Sequence, residues 1–209
     1  MSRSTKQKIG IFSGTFDPIH DGHIQFALDA IADQGLDKVY FMVERRPRRK
    51  QGVRAFEHRQ TMVQLAIEDE PKLGSIITDQ QQFTAHQTLP ILRKRFGDSV
   101  RLVLLAGDDM LSHMNEWPHV KELIQSVEFI FGVRGQRSLA RERIDTIQNT
   151  RNMTFRYTLL SSGLHNVSSS RIRSQIKNHE KPSYVDKGVA SYIREQGLYS
   201  SSSADSAKN

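Results

Sequence analysis

The stretch Ile9-Gly-Ile-Phe-Ser-Gly-Thr-Phe-Asp-Pro-Ile-His-Asp-Gly-His23 restricts what this chain can fold into. Ile9 to Phe12 is a short apolar run bounded by Gly14, the pattern of a strand buried on both faces of a parallel sheet. Gly14, Pro18 and Gly22 then punctuate a turn. After it, Ile24, Ala27, Leu28 and Ile31 recur at helical spacing. A strand therefore runs through a glycine-containing loop into a helix. In open α/β sheets that junction is where ligands collect, because backbone N–H groups and the positive end of the helix favour phosphate.

The rest of the chain repeats the pattern. Lys38–Val43 reads as a second strand, followed by a basic loop, Glu44 to Arg54. Ala55 to Glu70 reads as a helix, Ser75 to Thr78 as a short strand, and Thr88 to Phe96 as a helix with Pro90 in its first turn. Val100 to Ala106 is the expected central strand, and Trp117-Pro118 opens a helix to Ser126. Val127 to Val133 and Phe155 to Leu160 complete the strands, with Arg141 to Ile147 helical between them. Ser168-Ser-Ser170 caps a helix carrying Ile172 and Ile176. Tyr184 to Gln196 is a terminal helix stopped by Gly197. Alternating strands and helices predict an α/β fold: one doubly wound, Rossmann-like, mainly parallel sheet with helices on both faces. No repeat or linker divides residues 1–199, and the serine-rich segment 200–209 reads as a disordered tail.

Composition narrows the chemistry. The chain has no cysteine, which excludes disulfides and thiol catalysis and fits a cytoplasmic protein. No apolar run approaches the ~18 residues of a membrane span, and Met1 to Lys8 is too polar to begin a secretory signal. The net charge of +7 calls for an anionic partner, a nucleotide, a phosphometabolite or a nucleic acid. Oligomeric state, including a homo-oligomer, stays open.

Polar, basic and glycine-rich groups gather after the predicted strands. His20 and His23 offer two imidazoles that can donate hydrogen bonds to a phosphoryl group as charge grows on it. No Walker pattern is present. Lys50, on a loop, can reach a polyphosphate as a point charge or simply sit in solvent. Ser168-Ser-Ser-Arg-Ile-Arg173 combines hydroxyls and free N–H groups at a helix start with Arg173, which can clamp a phosphate or lie exposed. Asp109, in Gly107-Asp-Asp109, can accept from ribose hydroxyls or cap a turn. Trp117 can stack on a heteroaromatic ring or fill the core.

Gly14-Thr-Phe-Asp-Pro-Ile-His-Asp-Gly-His23 resembles the motif of nucleotidyltransferases bearing His-x-Gly-His, and within them the bacterial nicotinate-nucleotide adenylyltransferases. The resemblance extends over residues 8 to 199. It includes Val167-Ser-Ser-Ser-Arg-Ile-Arg173, similar to a phosphate-binding motif, and Gly107-Asp-Asp109, similar to a Gly-x-Asp that orients nucleotide groups. The terminal helix Val189 to Tyr199 is similar too. It implies adenylyl transfer from ATP to nicotinate mononucleotide by direct in-line attack, giving nicotinate adenine dinucleotide and pyrophosphate in NAD biosynthesis. It further implies that His20 and His23 stabilise the transferring group while Lys50 and Arg173 hold the β- and γ-phosphates. Ser13, Gly14, Thr15 and Phe16 would cradle the nucleotide, joined by Gly107, Asp109, Ser169 and Ser170. Thr84, Thr88 and Trp117 would border the acceptor. Mg2+ would ride on phosphates and water, with no protein ligand.

Two departures stand out. Where the family has Pro-His-Lys, this chain has Arg48-Arg49-Lys50. Where the family has Tyr-Thr-x-Asp-Thr-Leu, this chain has Phe83-Thr-Ala-His-Gln-Thr-Leu89, so His86-Gln87 replaces the expected pair. The second departure keeps another acceptor open: nicotinamide mononucleotide, phosphopantetheine, or a phosphorylated polyol with CTP. An RNA-binding role for loop 45–54 is the weaker reading, since no aromatic platform flanks it. A class I aminoacyl-tRNA synthetase fragment lacks support because no Lys-Met-Ser-Lys-Ser pattern occurs.

Overall fold

The computed structural model describes residues 6–48, 50–161 and 167–200. The expectations for Arg49 and for the tail beyond Ser200 lie outside the described residues. Six strands form one parallel sheet: β1 (Lys8–Gly14), β2 (Lys38–Val43), β3 (Leu73–Ser75), β4 (Arg101–Gly107), β5 (Glu128–Val133) and β6 (Tyr157–Ser161). Their order is β3-β2-β1-β4-β5-β6, and each neighbouring pair is parallel. The order reverses between β1 and β4, the switch point at which such sheets open a crevice.

Seven helices cover the sheet: α1 (Asp21–Gln34), α2 (Phe56–Ala66), α3 (Ala85–Phe96), α4 (Val120–Ser126), α5 (Arg137–Arg151), α6 (Ser169–Lys177) and α7 (Lys187–Glu195). The strand alternation decides which face each residue serves. Ile9, Ile11, Leu102 and Leu104 pack with Leu92 of α3, Leu123 of α4 and Ile144 of α5. Phe12, Val103 and Leu105 point the other way, onto Ala27 of α1, Val63 of α2 and Val189 of α7. The doubly wound reading holds. No described helix is long and apolar enough to cross a membrane.

Several boundaries differ from the sequence reading, each for a local reason. β3 is Leu73–Ser75 rather than Ser75 to Thr78, because Leu73 is the buried residue that pairs with Val39, while Ile77 is exposed. α3 starts at Ala85, where the Thr84 hydroxyl accepts from the Gln87 N–H, so Pro90 lies in the second turn. α2 ends at Ala66, short of Glu70, and α5 runs from Arg137 to Arg151, beyond Arg141 to Ile147. β6 starts two residues later and ends one residue later than expected, at Tyr157–Ser161. Trp117 and Pro118 precede α4 in a loop that follows two 3-10 turns, Asp108–Ser112 and Met114–Glu116. α7 begins at Lys187, where Asp186 caps it by accepting from the N–H groups of Gly188 and Val189.

Candidate functional site

The loop after β1 sets the site. Phe16 adopts a left-handed backbone (φ 50°), and a cis peptide bond joins Asp17 to Pro18. His20 ends the loop in an extended conformation as the N-cap of α1. This places His20 one turn of helix before His23, and their rings stack with centroids 3.7 Å apart and planes 21° from parallel. Phe12 and Phe16 meet the His23 ring edge-on. The Nδ1 of His23 accepts from the His20 backbone N–H at 3.3 Å. That contact puts the proton of a neutral His23 on Nε2, where it can be donated.

Both imidazoles are held neutral. Burial, helped by the Arg134 guanidinium, lowers the His20 pKa to about 4. Burial and then the neighbouring His20, Arg134 and Lys50 push His23 well below the ordinary histidine value. His20 is only 3% exposed, and its Nδ1 is buried without a hydrogen-bond partner. Gly22 makes the stack possible: a Cβ there would lie 3.0 Å from His20 Nδ1. Gly107 does the same for Asp109, since its Cβ would fall 2.6 Å from the Asp109 Oδ1.

Distant elements fix the loop. Arg59 of α2 is 1% exposed and donates to four backbone carbonyls, those of Thr15, Glu44, Arg45 and Arg54. Arg173 of α6 donates to the Asp17 carbonyl at 2.7 Å and to the Ser170 hydroxyl at 3.2 Å. The Ser169 hydroxyl donates to the Pro18 carbonyl at 2.9 Å. From beyond α7, the Tyr199 hydroxyl donates to Asp17 Oδ1 at 2.6 Å, and burial raises its pKa above the ordinary phenol range.

Two clefts of about 470 and 430 Å³ open along the carboxyl ends of the strands. The first is lined by the histidine pair, Gly14, Phe16, Arg134, Ser169, Ser170 and Arg173. The second is lined by Ser13, Glu44, Arg48, Phe83 and Trp117, among others. Thr15, Lys50, Gly107 and Asp109 line both, so the clefts meet along that ridge. The structure thus brings together the predicted residues of the β1 loop, the basic loop, β4 and α6. Thr84 and Thr88 stand apart and line neither cleft. Thr84 caps α3, and the wholly buried Thr88 accepts from the Thr84 N–H and donates to Gln80.

The comparisons with known proteins fall on this geometry. The cytidylyltransferase-like family profile matches residues 11–175. A nicotinate-nucleotide adenylyltransferase of Bacillus subtilis (strain 168) is 31% identical over 204 residues, covering 93% of this chain and 100% of that protein. A probable nicotinate-nucleotide adenylyltransferase of Neisseria meningitidis serogroup C is 32% identical, covering 92% of this chain and 98% of its own. The chain belongs to the nicotinate-nucleotide adenylyltransferase family. A solved structure of Plasmodium falciparum nicotinic acid mononucleotide adenylyltransferase complexed with NaAD shares the fold (TM-score 0.74). It is 18% identical and covers 92% of this chain and 97% of that one.

In this member of the adenylyltransferase family, sequence reasoning missed three side chains that shape the site. Arg59 left a signal: it falls between Phe56 and Val63 at helical spacing on the packed face of α2, and a charge there has to find carbonyls or a carboxylate. Arg134 directly follows β5, the strand end that the reading passed over. Tyr199 gave no local signal, because its partner Asp17 is far away in the chain.

Proposed function

We propose that this chain transfers the adenylyl group of ATP to nicotinate mononucleotide, giving nicotinate adenine dinucleotide and pyrophosphate in NAD biosynthesis. The observation that carries this reading is the meeting of two clefts beside a stacked, neutral histidine pair. ATP takes the first cleft and the acceptor the second, where Trp117 offers a flat platform for a pyridine ring. The acceptor phosphate oxygen then attacks the α-phosphorus at the ridge, and the bond to the bridging oxygen of the leaving pyrophosphate breaks.

Each residue has a part in that displacement. His23 and His20 donate neutral N–H groups to the α-phosphoryl oxygens as charge accumulates. Lys50, common to both clefts, bridges the phosphates; Arg173 and Arg134 face the β- and γ-phosphates. Backbone groups of Ser13 to Phe16, with Ser169 and Ser170, complete the cradle. Thr84 and Thr88 serve the acceptor indirectly, by anchoring the start of α3 next to Phe83. A Mg2+ ion carried in on the polyphosphate would ride mainly on phosphates and water and would supply charge neutralisation there. Asp109, the acidic residue lining both clefts, is the side chain that would assist it, and no cluster of three or more potential metal ligands occurs among the described residues.

The deciding measurement is pyrophosphate release from ATP with nicotinate mononucleotide, beside nicotinamide mononucleotide and phosphopantetheine. Fastest turnover of nicotinate mononucleotide is expected, with kcat lowered roughly 10²- to 10³-fold in His20→Ala. Faster turnover of phosphopantetheine would move the substrate and keep the chemistry. Absence of release with every acceptor would refute both.

A further inference from the structure

We propose that Arg48 reads the ring carboxylate of the acceptor and sets the preference of this chain for an acidic over an amide pyridine nucleotide. The inference rests on the function proposed above and assigns a specificity residue within it.

Arg48 stands at the proline of the Pro-His-Lys that the resembling family carries, one of the two departures of this sequence. Of the cations lining the two clefts, Lys50 faces both, Arg134 and Arg173 face the first, and Arg48 faces only the second. Lys50 therefore lies where the phosphates meet, and Arg48 lies on the side of the acceptor's far end. Its guanidinium is 5.6 Å from the centre of the Trp117 ring. That is within the ~6 Å of a cation–π contact, so the charge lies over the indole platform at longer range than a stacked ring would. A pyridine ring lying on Trp117 brings its edge substituent to this charge.

The guanidinium is held but not neutralised. Its Nη2 donates to the Phe83 carbonyl at 3.2 Å, and this is its one hydrogen bond to the described residues. Three acidic residues, Glu44, Asp109 and Glu116, line the same cleft, and of these Glu44 feels the Arg48 charge. Glu44 accepts from the Phe83 N–H at 3.2 Å, and Glu116 lies 3.8 Å from His113. Burial raises the Glu44 carboxyl above its ordinary pKa, and the Phe83 N–H, Arg48, Lys50 and Arg59 pull it back. An anchored arginine with donors to spare is suited to a planar carboxylate, which accepts two parallel N–H bonds; a carboxamide offers one acceptor oxygen and no charge.

A purely structural Arg48, tying loop 44–48 to Phe83, is the competing account, and the two acceptors separate it. Steady-state kinetics with nicotinate mononucleotide and nicotinamide mononucleotide would be run on wild type, Arg48→Lys and Arg48→Met. Arg48→Met is expected to lower kcat/KM for nicotinate mononucleotide on the order of 10- to 100-fold, mostly through KM. The amide acceptor should lose no more than a few-fold, so that the ratio collapses. Arg48→Lys should recover part of the ratio. An equal loss with both acceptors in Arg48→Met overturns the proposal and leaves Arg48 a loop tie. Wild-type enzyme that turns over neither pyridine nucleotide refutes the function itself, and that result appears before any variant is made.

Discussion

Two imidazole rings 3.7 Å apart cannot both carry charge in a site that also faces Arg134 and Lys50. Their neutrality suits the chemistry: a neutral N–H donates to a phosphoryl oxygen without having to lose a proton. Neutrality comes first from burial, with the His20 neighbour adding to it at His23, and Gly22 leaves room for the His20 ring. In Gly22→Ala the new methyl would press on His20 Nδ1 from 3.0 Å and tilt the ring. Alanine is also the better helix former near the start of α1. We therefore expect Tm to stay within a few degrees of wild type while kcat falls several-fold, since the ring must give by only a few tenths of an ångström. Unchanged kcat in a folded Gly22→Ala would mean that the stack has no catalytic part. The histidines were legible in the sequence because motif and helix start coincide. The closeness of Gly22 to the His20 ring was not, since the sequence shows only a turn glycine there.

Two elements far from the chemistry hold the β1 loop. α2 sends Arg59 under the loop, and the chain beyond α7 sends Tyr199. Arg59→Met would leave four carbonyls, those of Thr15, Glu44, Arg45 and Arg54, without this donor in a dry environment. Unfolding free energy from urea titration should drop by about 3–5 kcal/mol. Arg59→Lys should not restore it, because an ammonium cannot span that fork. Tyr199→Phe removes one buried donor and should cost about 1–2 kcal/mol in the same titration, with KM for ATP raised as Asp17 and its neighbour Arg173 loosen. A loss below 0.5 kcal/mol for Arg59→Met would show the loop to be self-supporting. Strand and helix types were readable here because β1 and β4 are continuous apolar runs and α7 keeps Val189 and Ile193 in line. Boundaries at β3 and α3 were not, since they depend on pairing with Val39 and on the Thr84 cap. The basic loop was misleading for a related reason. Arg45 lies 4.0 Å from the centre of the Phe56 ring and donates to the Thr78 carbonyl, so part of a run that reads as solvated charge is internal structure.

For the molecule as a whole, the buried histidines couple folding to acidity. His20 has a pKa of about 4 when folded against 6.5 when exposed. Between those values the unfolded chain binds the proton and the folded chain does not. Unfolding free energy must therefore rise with pH through that window. The contribution is complete above about pH 6.5, declines as pH falls below it, and is exhausted near pH 4, where folded His20 protonates too. The fall from 6.5 to about 4 corresponds to roughly 3 kcal/mol, and His23 acts in the same direction. Glu44 and Asp21 oppose it: burial raises both carboxyls, so the folded chain takes up their protons first as pH falls. Wild type alone cannot separate these terms, but its difference from His20→Asn can. Urea titrations at pH 7.5, 6.0 and 5.0 should show wild type losing stability faster than His20→Asn at each step down. The gap at pH 5.0 should be about 2 kcal/mol relative to pH 7.5. In parallel, the His20 ring signal in a nuclear magnetic resonance titration should stay fixed from pH 8 to 5.5. A midpoint near 6.5, with equal slopes in the two proteins, would mean that the ring is hydrated and that the neutral pair proposed for catalysis does not exist in solution.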